Sequence, residues 1–362
     1  MKRVALCVPD PWNYISQYSN YSLVIINPAE PLARKQYLLD KADWSLLVTP
    51  GNIEKRFGND YSDERIVLCT SGTTGDSKMY GFSADKVQYS IDNIINSYDL
   101  TSNDRYLSVM PLWHAHGLLM YLAAQSAGCE IKMASVGDFK NAIDFQPTYL
   151  SAIPDFLKLA TKQNFNTLRF VRSASMALPE ATYLGLKQRW SVPVIEAFGM
   201  TETCSHCFTN PIHGPQKIGT IGRPSGIEFY IDQGKLFLKG QSAYTNEWFD
   251  TGDLADQDLD GYVRILGRSI DRINIRGYKI DPLSIENQLY NFIPEIGDVV
   301  VFGTDRLMCI YTGEIDPAVV KKQLLSISPY CYPKLLEQVT SIPKNAAGKT
   351  SRTLLNRMYN LL

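Results

Sequence analysis

A stretch rich in glycine and hydroxyl side chains occupies residues 70–78 and is suited to binding phosphate. It consists of Thr-Ser-Gly-Thr-Thr-Gly-Asp-Ser-Lys and follows a short apolar run. Backbone N–H groups and hydroxyls in such a loop can donate hydrogen bonds to phosphate oxygens, and Lys78 adds a positive charge. The spacing of a Walker loop is absent. A polar turn would account for any two of these residues, but not for the whole string.

Four charged residues further along the chain have side chains that suit nucleotide chemistry. Glu202 offers hard oxygen ligands for Mg²⁺. Asp253 is a carboxylate that only accepts hydrogen bonds, which suits it to two ribose hydroxyls. Arg268 is a permanent cation with forked donors. Lys349, which follows a glycine, can stabilise negative charge that develops on a phosphate. Taken singly, each could be an ordinary turn or surface residue.

Six segments, most of which contain these residues, occur in the order found in the adenylate-forming superfamily, which the chain resembles. That superfamily includes acyl-CoA synthetases, firefly-type luciferases and the adenylation domains of peptide synthetases. One segment could arise by chance, but chance does not readily explain six segments in the same order across residues 65–352. Ser77 stands where the superfamily usually has proline. The segments are residues 70–78, 111–118, 196–202, 248–254, 267–268 with 276–280, and 343–349.

The resemblance implies that most of these residues bind ATP and Mg²⁺. Phe198 would offer a flat face to adenine, Thr201 would contact the α-phosphate, and Lys349 would bridge the substrate carboxylate and the α-phosphate. Glu202 would be the metal ligand. The implied catalytic residues are Lys349, Thr201, Glu202 and His114. The implied nucleotide-binding residues are Thr70, Ser71, Gly72, Thr73, Thr74, Gly75, Lys78, Ser175, Glu196, Ala197, Phe198, Gly199, Met200, Thr201, Asp253, Arg268 and Lys349.

A second group of residues is implied to hold the acid and the thiol. His114 matches the superfamily's histidine in the segment that borders the acyl pocket and the thiol entrance. Residues 111–118, 172–175 and 201–211 are similar to CoA ligases for short acids, including oxalate and malonate types. Oxalate-type members carry a histidine where Ser205 aligns, and here the histidine comes one place later, so oxalate is not assigned. The further candidates are His116, Arg172, Ser173, His206, Arg276, Gly277 and Tyr278.

The implied reaction is an ATP-dependent acid–thiol ligation in two steps. A carboxylic acid is activated as acyl-AMP with release of pyrophosphate, and the acyl group then passes to CoA. In one alternative, the acceptor is the phosphopantetheine arm of an acyl or aryl carrier protein. In another, the chain is a non-catalytic relative that binds nucleotide, although the intact nucleotide motifs argue against it. An aspartate that would anchor an amino group is not evident near residues 111–118, and this argues against an amino acid as the substrate.

Alternating strand and helix patterns before residue 215 predict a mostly parallel α/β domain that would position these residues. Ser83 is predicted to cap a helix with Val87, Ile91 and Ile94 on its apolar face. A small β-rich part with a hairpin at residues 229–238 is expected next. We expect residues 1–268 to form the AMP-binding domain, shortened at its start, and residues 269–362 to form a small mobile α+β lid. Strands are predicted near residues 22–27, 65–69, 105–110, 149–153 and 192–195, and helices near 30–44 and 118–127.

The composition is that of an ordinary globular enzyme. The chain has 362 residues with 36 Lys and Arg against 37 Asp and Glu, and a net charge of −1 gives no electrostatic reason to expect a nucleic acid partner. The apolar run after Met1 ends at Pro9, short of a signal peptide, and no stretch has the length of a membrane span. We expect a cytoplasmic protein with buried free thiols. The shortened N-terminal region predicts apolar surface that a partner or a homodimer would cover.

Overall fold

The described part of the computed structural model, residues 1–61, 63–70, 78–135, 144–344 and 350–361, begins with a mostly parallel sheet. Its strands are β1 (Arg3–Leu6), β2 (Ser22–Ile25), β3 (Leu46–Thr49), β4 (Asn52–Lys55), β5 (Glu64–Cys69) and β6 (Met79–Ser83). They lie in the order β4-β3-β1-β2-β5-β6, parallel in the centre and antiparallel at both edges. β2 is buried at every position, as expected of a strand covered on both faces.

A second sheet follows and is also parallel over most of its width. Its strands are β7 (Arg105–Ser108), β8 (Glu130–Met133), β9 (Tyr149–Ala152), β10 (Phe170–Ser173), β11 (Val194–Met200), β12 (Ser205–Thr209) and β13 (Arg223–Pro224). The order is β13-β12-β11-β10-β9-β7-β8, with β12 and β13 antiparallel to their neighbours. Parallel neighbours place the carboxyl ends of β7, β9, β10 and β11 at one edge.

Helices connect these strands and cover the sheets. They are α1 (Trp12–Ile15), α2 (Leu32–Ala42), α3 (Ala84–Tyr98), α4 (Ala115–Ser126), α5 (Pro154–Ala160) and α6 (Glu180–Trp190). Ser83 caps α3 as predicted, because its hydroxyl accepts a hydrogen bond from the backbone N–H of Lys86 at 3.4 Å. Val87, Ile91 and Ile94 are buried on the inner face of that helix. Within the described ranges, no helix is long and apolar enough to cross a membrane.

An antiparallel sheet and a smaller α+β unit complete the chain. The sheet consists of β14 (Glu228–Asp232), β15 (Lys235–Lys239), β16 (Phe249–Gln257) and β17 (Val263–Arg268), in that order. The C-terminal unit has a hairpin, β18 (Ile273–Ile275) with β19 (Tyr278–Ile280), and a sheet of β20 (Val299–Phe302), β21 (Leu307–Tyr311) and β22 (Pro333–Gln338). Its helices are α7 (Pro282–Phe292), α8 (Pro317–Ile327) and α9 (Arg352–Met358).

The C-terminal unit has an apolar cluster of its own and one central ion-pair group. Ile285, Leu289 and Val301 belong to that cluster, which is formed by residues between 273 and 336. Arg352 of α9 donates to both carboxylate oxygens of Glu286 at 2.7 Å and to Asp271 at 3.2 Å. α9 is thereby tied to α7 and to the 3₁₀ turn just after β17. The boundary at residues 268 and 269 stays a prediction.

The predicted α/β class is confirmed, and the elements differ from prediction mainly at their ends. The helix predicted near residues 30–44 spans Leu32–Ala42, because Asp43 adopts a left-handed φ of 45° that ends it. The helix predicted near 118–127 starts three residues earlier, at Ala115. The strand predicted near 192–195 begins at Val194 and continues to Met200, so residues 196–200 lie on a strand.

Candidate active site

A cavity of about 370 Å³ opens where strands of both parallel sheets end. In open α/β sheets, ligands bind beyond the carboxyl ends of the strands. This cavity is therefore the candidate active site. The lining residues that lie at a strand end or within two residues after it are Asn27 after β2, Cys69 at the end of β5, Val109 and Met110 after β7, Ile153 after β9, Ala174 after β10, and Gly199 and Met200 at the end of β11.

Residues 111–118, the acyl segment, form one wall of this cavity. Trp113, His114 and His116 all line it. The acyl-pocket or thiol-site role of the two histidines stays a prediction. His114 is the residue that precedes α4 and has an extended backbone. A Cβ added at Gly117 would lie 2.2 Å from the carbonyl oxygen of Pro111, so only glycine fits there. This close contact fixes the turn whose side chains reach the cavity.

Arg172 and His116 form a buried hydrogen-bond network beside that wall. Arg172 Nη1 donates to His116 Nε2 at 2.9 Å and to Ser151 Oγ at 3.0 Å, while Nε donates to the Tyr98 hydroxyl at 2.8 Å. Because a guanidinium only donates, His116 Nε2 accepts and the ring proton lies on Nδ1. Nδ1 therefore donates to Ser175 Oγ at 3.0 Å. Ser175, another lining residue, has a left-handed φ of 72°, which is strained for a non-glycine residue.

Residues 196–202, the predicted adenine segment, lie partly at the cavity and partly in the core. Gly199 and Met200 line the cavity, and a Cβ at Gly199 would lie 1.8 Å from the carbonyl oxygen of Ser205. The Phe198 ring instead packs edge-on against Phe208 at 6.2 Å. Glu196 accepts a hydrogen bond from the backbone N–H of Leu178 at 3.0 Å, and burial raises its pKa to about 7. Ala197 is buried beside it.

Thr201 and Glu202 follow β11 in a 3₁₀ turn. Thr201 lines the cavity. Glu202 contacts the hydroxyl of Tyr80 on β6, and the pKa of Tyr80 rises to about 12 because of burial first and the Glu202 charge second. The candidate metal ligand thus lies between the two parallel sheets.

Asp253 and Arg268 face each other across the antiparallel sheet. They are register partners on β16 and β17, and Arg268 Nη1 donates to Asp253 Oδ1 at 3.1 Å. Burial raises the pKa of Asp253 to about 6, against the opposing effect of Arg268 and with a further contribution from the charge of Glu202. The latter contribution indicates that the candidate ribose and metal carboxylates lie near one another.

Part of the predicted phosphate loop and the predicted catalytic lysine lie outside the described residues. These are Ser71, Gly72, Thr73, Thr74, Gly75 and Lys349. The two ends of the loop are close, since the backbone N–H of Thr70 donates to the Lys78 carbonyl at 2.9 Å and that of Lys78 donates to Thr70 Oγ1 at 3.0 Å. Lys344, at the start of the Lys349 segment, donates to Asp155 of α5 at 3.0 Å.

The predicted thiol-loop residues lie at the turn of the β18–β19 hairpin, away from the cavity lining. Arg276 and Gly277 have left-handed φ values of 53° and 90°. Asn274 Oδ1 closes the turn by accepting from the backbone N–H of Gly277 at 2.9 Å. The rings of Tyr278 and Tyr330 stack with their centroids 3.9 Å apart, and both side chains are partly exposed.

Two predicted pocket residues are buried elsewhere. His206 contacts the Ser225 hydroxyl and the Tyr98 hydroxyl, and burial lowers its pKa well below the ordinary value. Ser173 is fully buried within β10. Ser205, the residue before His206, lines the cavity instead. Tyr98 and Ser151, which accept hydrogen bonds from Arg172, were not predicted, and no local pattern in the sequence marks them.

Comparisons with known proteins agree with this geometry. The family described as AMP-binding enzyme matches residues 22–242, more than half of the chain. Oxalate–CoA ligase from Arabidopsis thaliana is 29% identical over 83% of this chain and 68% of the relative. Sulfoacetate–CoA ligase from Cupriavidus necator is 27% identical over 80% and 66%. The chain therefore spans about two thirds of the length of these relatives.

A solved structure shows the same fold. It is O-succinylbenzoate coenzyme A synthetase from Bacillus subtilis in complex with ATP and magnesium ion, with a TM-score of 0.85 at 19% identity, covering 98% of this chain and 89% of that chain. The order of segments, the cavity that joins them and the family match lead to one conclusion. This chain belongs to the AMP-binding enzyme family, within the adenylate-forming superfamily.

Proposed function

We propose that this chain is an AMP-forming ligase that activates a carboxylic acid as acyl-AMP and passes the acyl group to CoA. The main support is the shared cavity, because His114 of the acyl segment and Thr201 of the nucleotide segment line the same space. An acid and an α-phosphate held there would be placed to react. The names of the oxalate and sulfoacetate relatives support acid–CoA ligation. Their acids differ, so we carry over the reaction class and not one acid.

In the first step, a carboxylate oxygen of the acid attacks the α-phosphorus of ATP. The new bond makes a mixed anhydride, and the bond from the α-phosphorus to pyrophosphate breaks. Asp253 would accept hydrogen bonds from the ribose, with Arg268 beside it. Thr201 and Lys349 would donate to the oxygens on which negative charge builds.

Glu202 is the residue that fits Mg²⁺ in this site. Mg²⁺ is commonly held by one or two carboxylates together with substrate phosphates and water. The described residues contain no group of three or more His, Cys, Asp or Glu side chains that could hold a metal ion. We propose that the phosphates of ATP supply further ligands. Bound Mg²⁺ would neutralise phosphate charge.

In the second step, the thiolate of CoA attacks the acyl carbon and AMP leaves. We propose that residues 269–362 act as a lid that rotates between the steps, which would bring Gly277 and its hairpin to the cavity. The separate apolar cluster of this unit supports rotation as one body. The cytoplasmic location, the homodimer and the carrier-protein alternative stay predictions.

The test is to incubate the protein with ATP, Mg²⁺ and CoA across a panel of aliphatic, aromatic, dicarboxylic and sulfonated acids. We expect AMP, pyrophosphate and acyl-CoA in equal amounts with at least one acid. Formation of ADP and phosphate would contradict adenylation. If a holo carrier protein were acylated much faster than CoA, the acceptor would be wrong and the first step would stand.

A further inference from the structure

Arg172 is a buried cation in the wall of the cavity. Its side chain is among the largest fully buried ones, with 2% of the residue exposed, and it lines the space that Thr201 also lines. No carboxylate within the described ranges forms an ion pair with it. Its partners are the neutral groups of Tyr98, His116 and Ser151.

The donors of the guanidinium are only partly used. Nε donates to Tyr98, and Nη1 donates to His116 and Ser151. As far as the described residues show, Nη2 and its two N–H groups have no hydrogen-bond acceptor in the protein. Because Tyr98, His116 and Ser151 hold the other two nitrogens, the plane of the guanidinium is fixed before a ligand arrives.

Among the described residues, the groups that contact Arg172 carry no negative charge. His206, which contacts the same Tyr98 hydroxyl as Arg172, is kept neutral because burial, and then the nearby Arg172 charge, lower its pKa well below the ordinary value. A buried charge without a partner is strongly unfavourable. An anion that enters the cavity would remove that cost and would form charge-assisted hydrogen bonds with fixed donors.

We propose that Arg172 binds a second anionic group of the acid, so that the preferred substrate is a small acid with two anionic groups. This inference rests on the proposed adenylation. One anionic group would react at the α-phosphate near Thr201, and the other would bind the guanidinium. His116 is a positioning residue, because it accepts from Nη1 and itself donates to Ser175.

The test compares acids that differ only in the second anion. Oxalate, malonate and succinate are paired with oxamate, malonamate and succinamate, in which a neutral amide replaces one carboxylate. ATP–pyrophosphate exchange gives kcat/KM for each acid. We expect at least one diacid to exceed its amide by about 10- to 100-fold, the range for a charge-assisted contact. Arg172→Met should bring that ratio close to one, and Arg172→Lys should keep part of it. Arg264→Met, at an exposed position on β17, should leave it unchanged.

Several outcomes would overturn the assignment. One is a wild-type protein that activates the amides as well as the diacids. Another is an Arg172→Met protein in which kcat/KM falls by the same factor for the diacid and for its amide. Such a result would indicate that Arg172 has a structural role or a role in nucleotide binding. If no acid is activated, the proposed function fails, but the anion site can still be tested by thermal protection without ATP. Diacids should then protect the wild type more than the amides do, and protection by both alike would refute the site.

Discussion

The buried carboxylate of Asp253 should lower the stability of the free protein while it raises nucleotide affinity. Burial raises its pKa from the ordinary 3.8 to about 6, and the opposing attraction to Arg268 is already included in that value. At ~1.36 kcal/mol per pKa unit, the ionised group costs about 3 kcal/mol of folding free energy at pH 7. Asp253→Asn, which is close in shape to the protonated acid, should remove most of this cost.

The sign of the pH dependence follows from the raised pKa. Between about pH 4 and pH 6 the folded protein holds this proton and the unfolded chain does not, so the stability from this group falls as pH rises. The advantage of Asp253→Asn over wild type should be small near pH 4, about half developed at pH 5 and nearly constant above about pH 7. A rise of a few degrees in the thermal midpoint is expected at pH 7.5.

Nucleotide binding should change in the opposite direction. Asparagine keeps one acceptor oxygen but loses the charge, so AMP affinity should fall by about 10- to 100-fold in calorimetric titration. Asp256→Asn, at an exposed position on the same strand, is the matched control and should alter neither property. A variant less stable than wild type at pH 7.5 would refute the burial argument. Unchanged AMP affinity would refute the ribose role of Asp253.

Three further predictions concern the lid, its contact with the N-terminal part and a tightly packed glycine. Lys349→Ala should slow adenylation by about 10²–10³-fold and still convert supplied acyl-AMP to thioester. Gly277→Leu should form acyl-AMP at the normal rate and fail to transfer the acyl group to the thiol. If either variant slowed both half-reactions equally, the two-state lid would be contradicted. Lys344→Ala removes the contact with Asp155 and should slow adenylation by up to about fivefold, the effect expected of an exposed ion pair. An equal slowing of thioester formation would contradict the assignment of this contact to the adenylation step. Gly199→Ala should lower the thermal midpoint because its Cβ would meet the Ser205 carbonyl, while Gly185→Ala in α6, where nothing lies within 4 Å, should raise it.

Local patterns in the sequence predicted the elements well, because caps and apolar spacing act over a few residues. Ser83 and the apolar face of α3 are examples. The Arg172 network could not be predicted in the same way. Tyr98, His116, Ser151 and Arg172 come from four elements whose approach depends on sheet order. The face that Phe198 presents also depends on tertiary packing, since its ring contacts Phe208.

The origin of the cavity lining has a consequence for how acid preference can change during evolution. Val109, Ile153 and Met176 lie in turns just beyond strands, so substitutions there alter the shape of the cavity without disturbing a strand. Arg172 lies within β10 and is held by neighbours from three other elements. The length and bulk of the acid that is accepted should therefore differ readily between related proteins. A change at Arg172 would require compensating changes at Tyr98, His116 and Ser151.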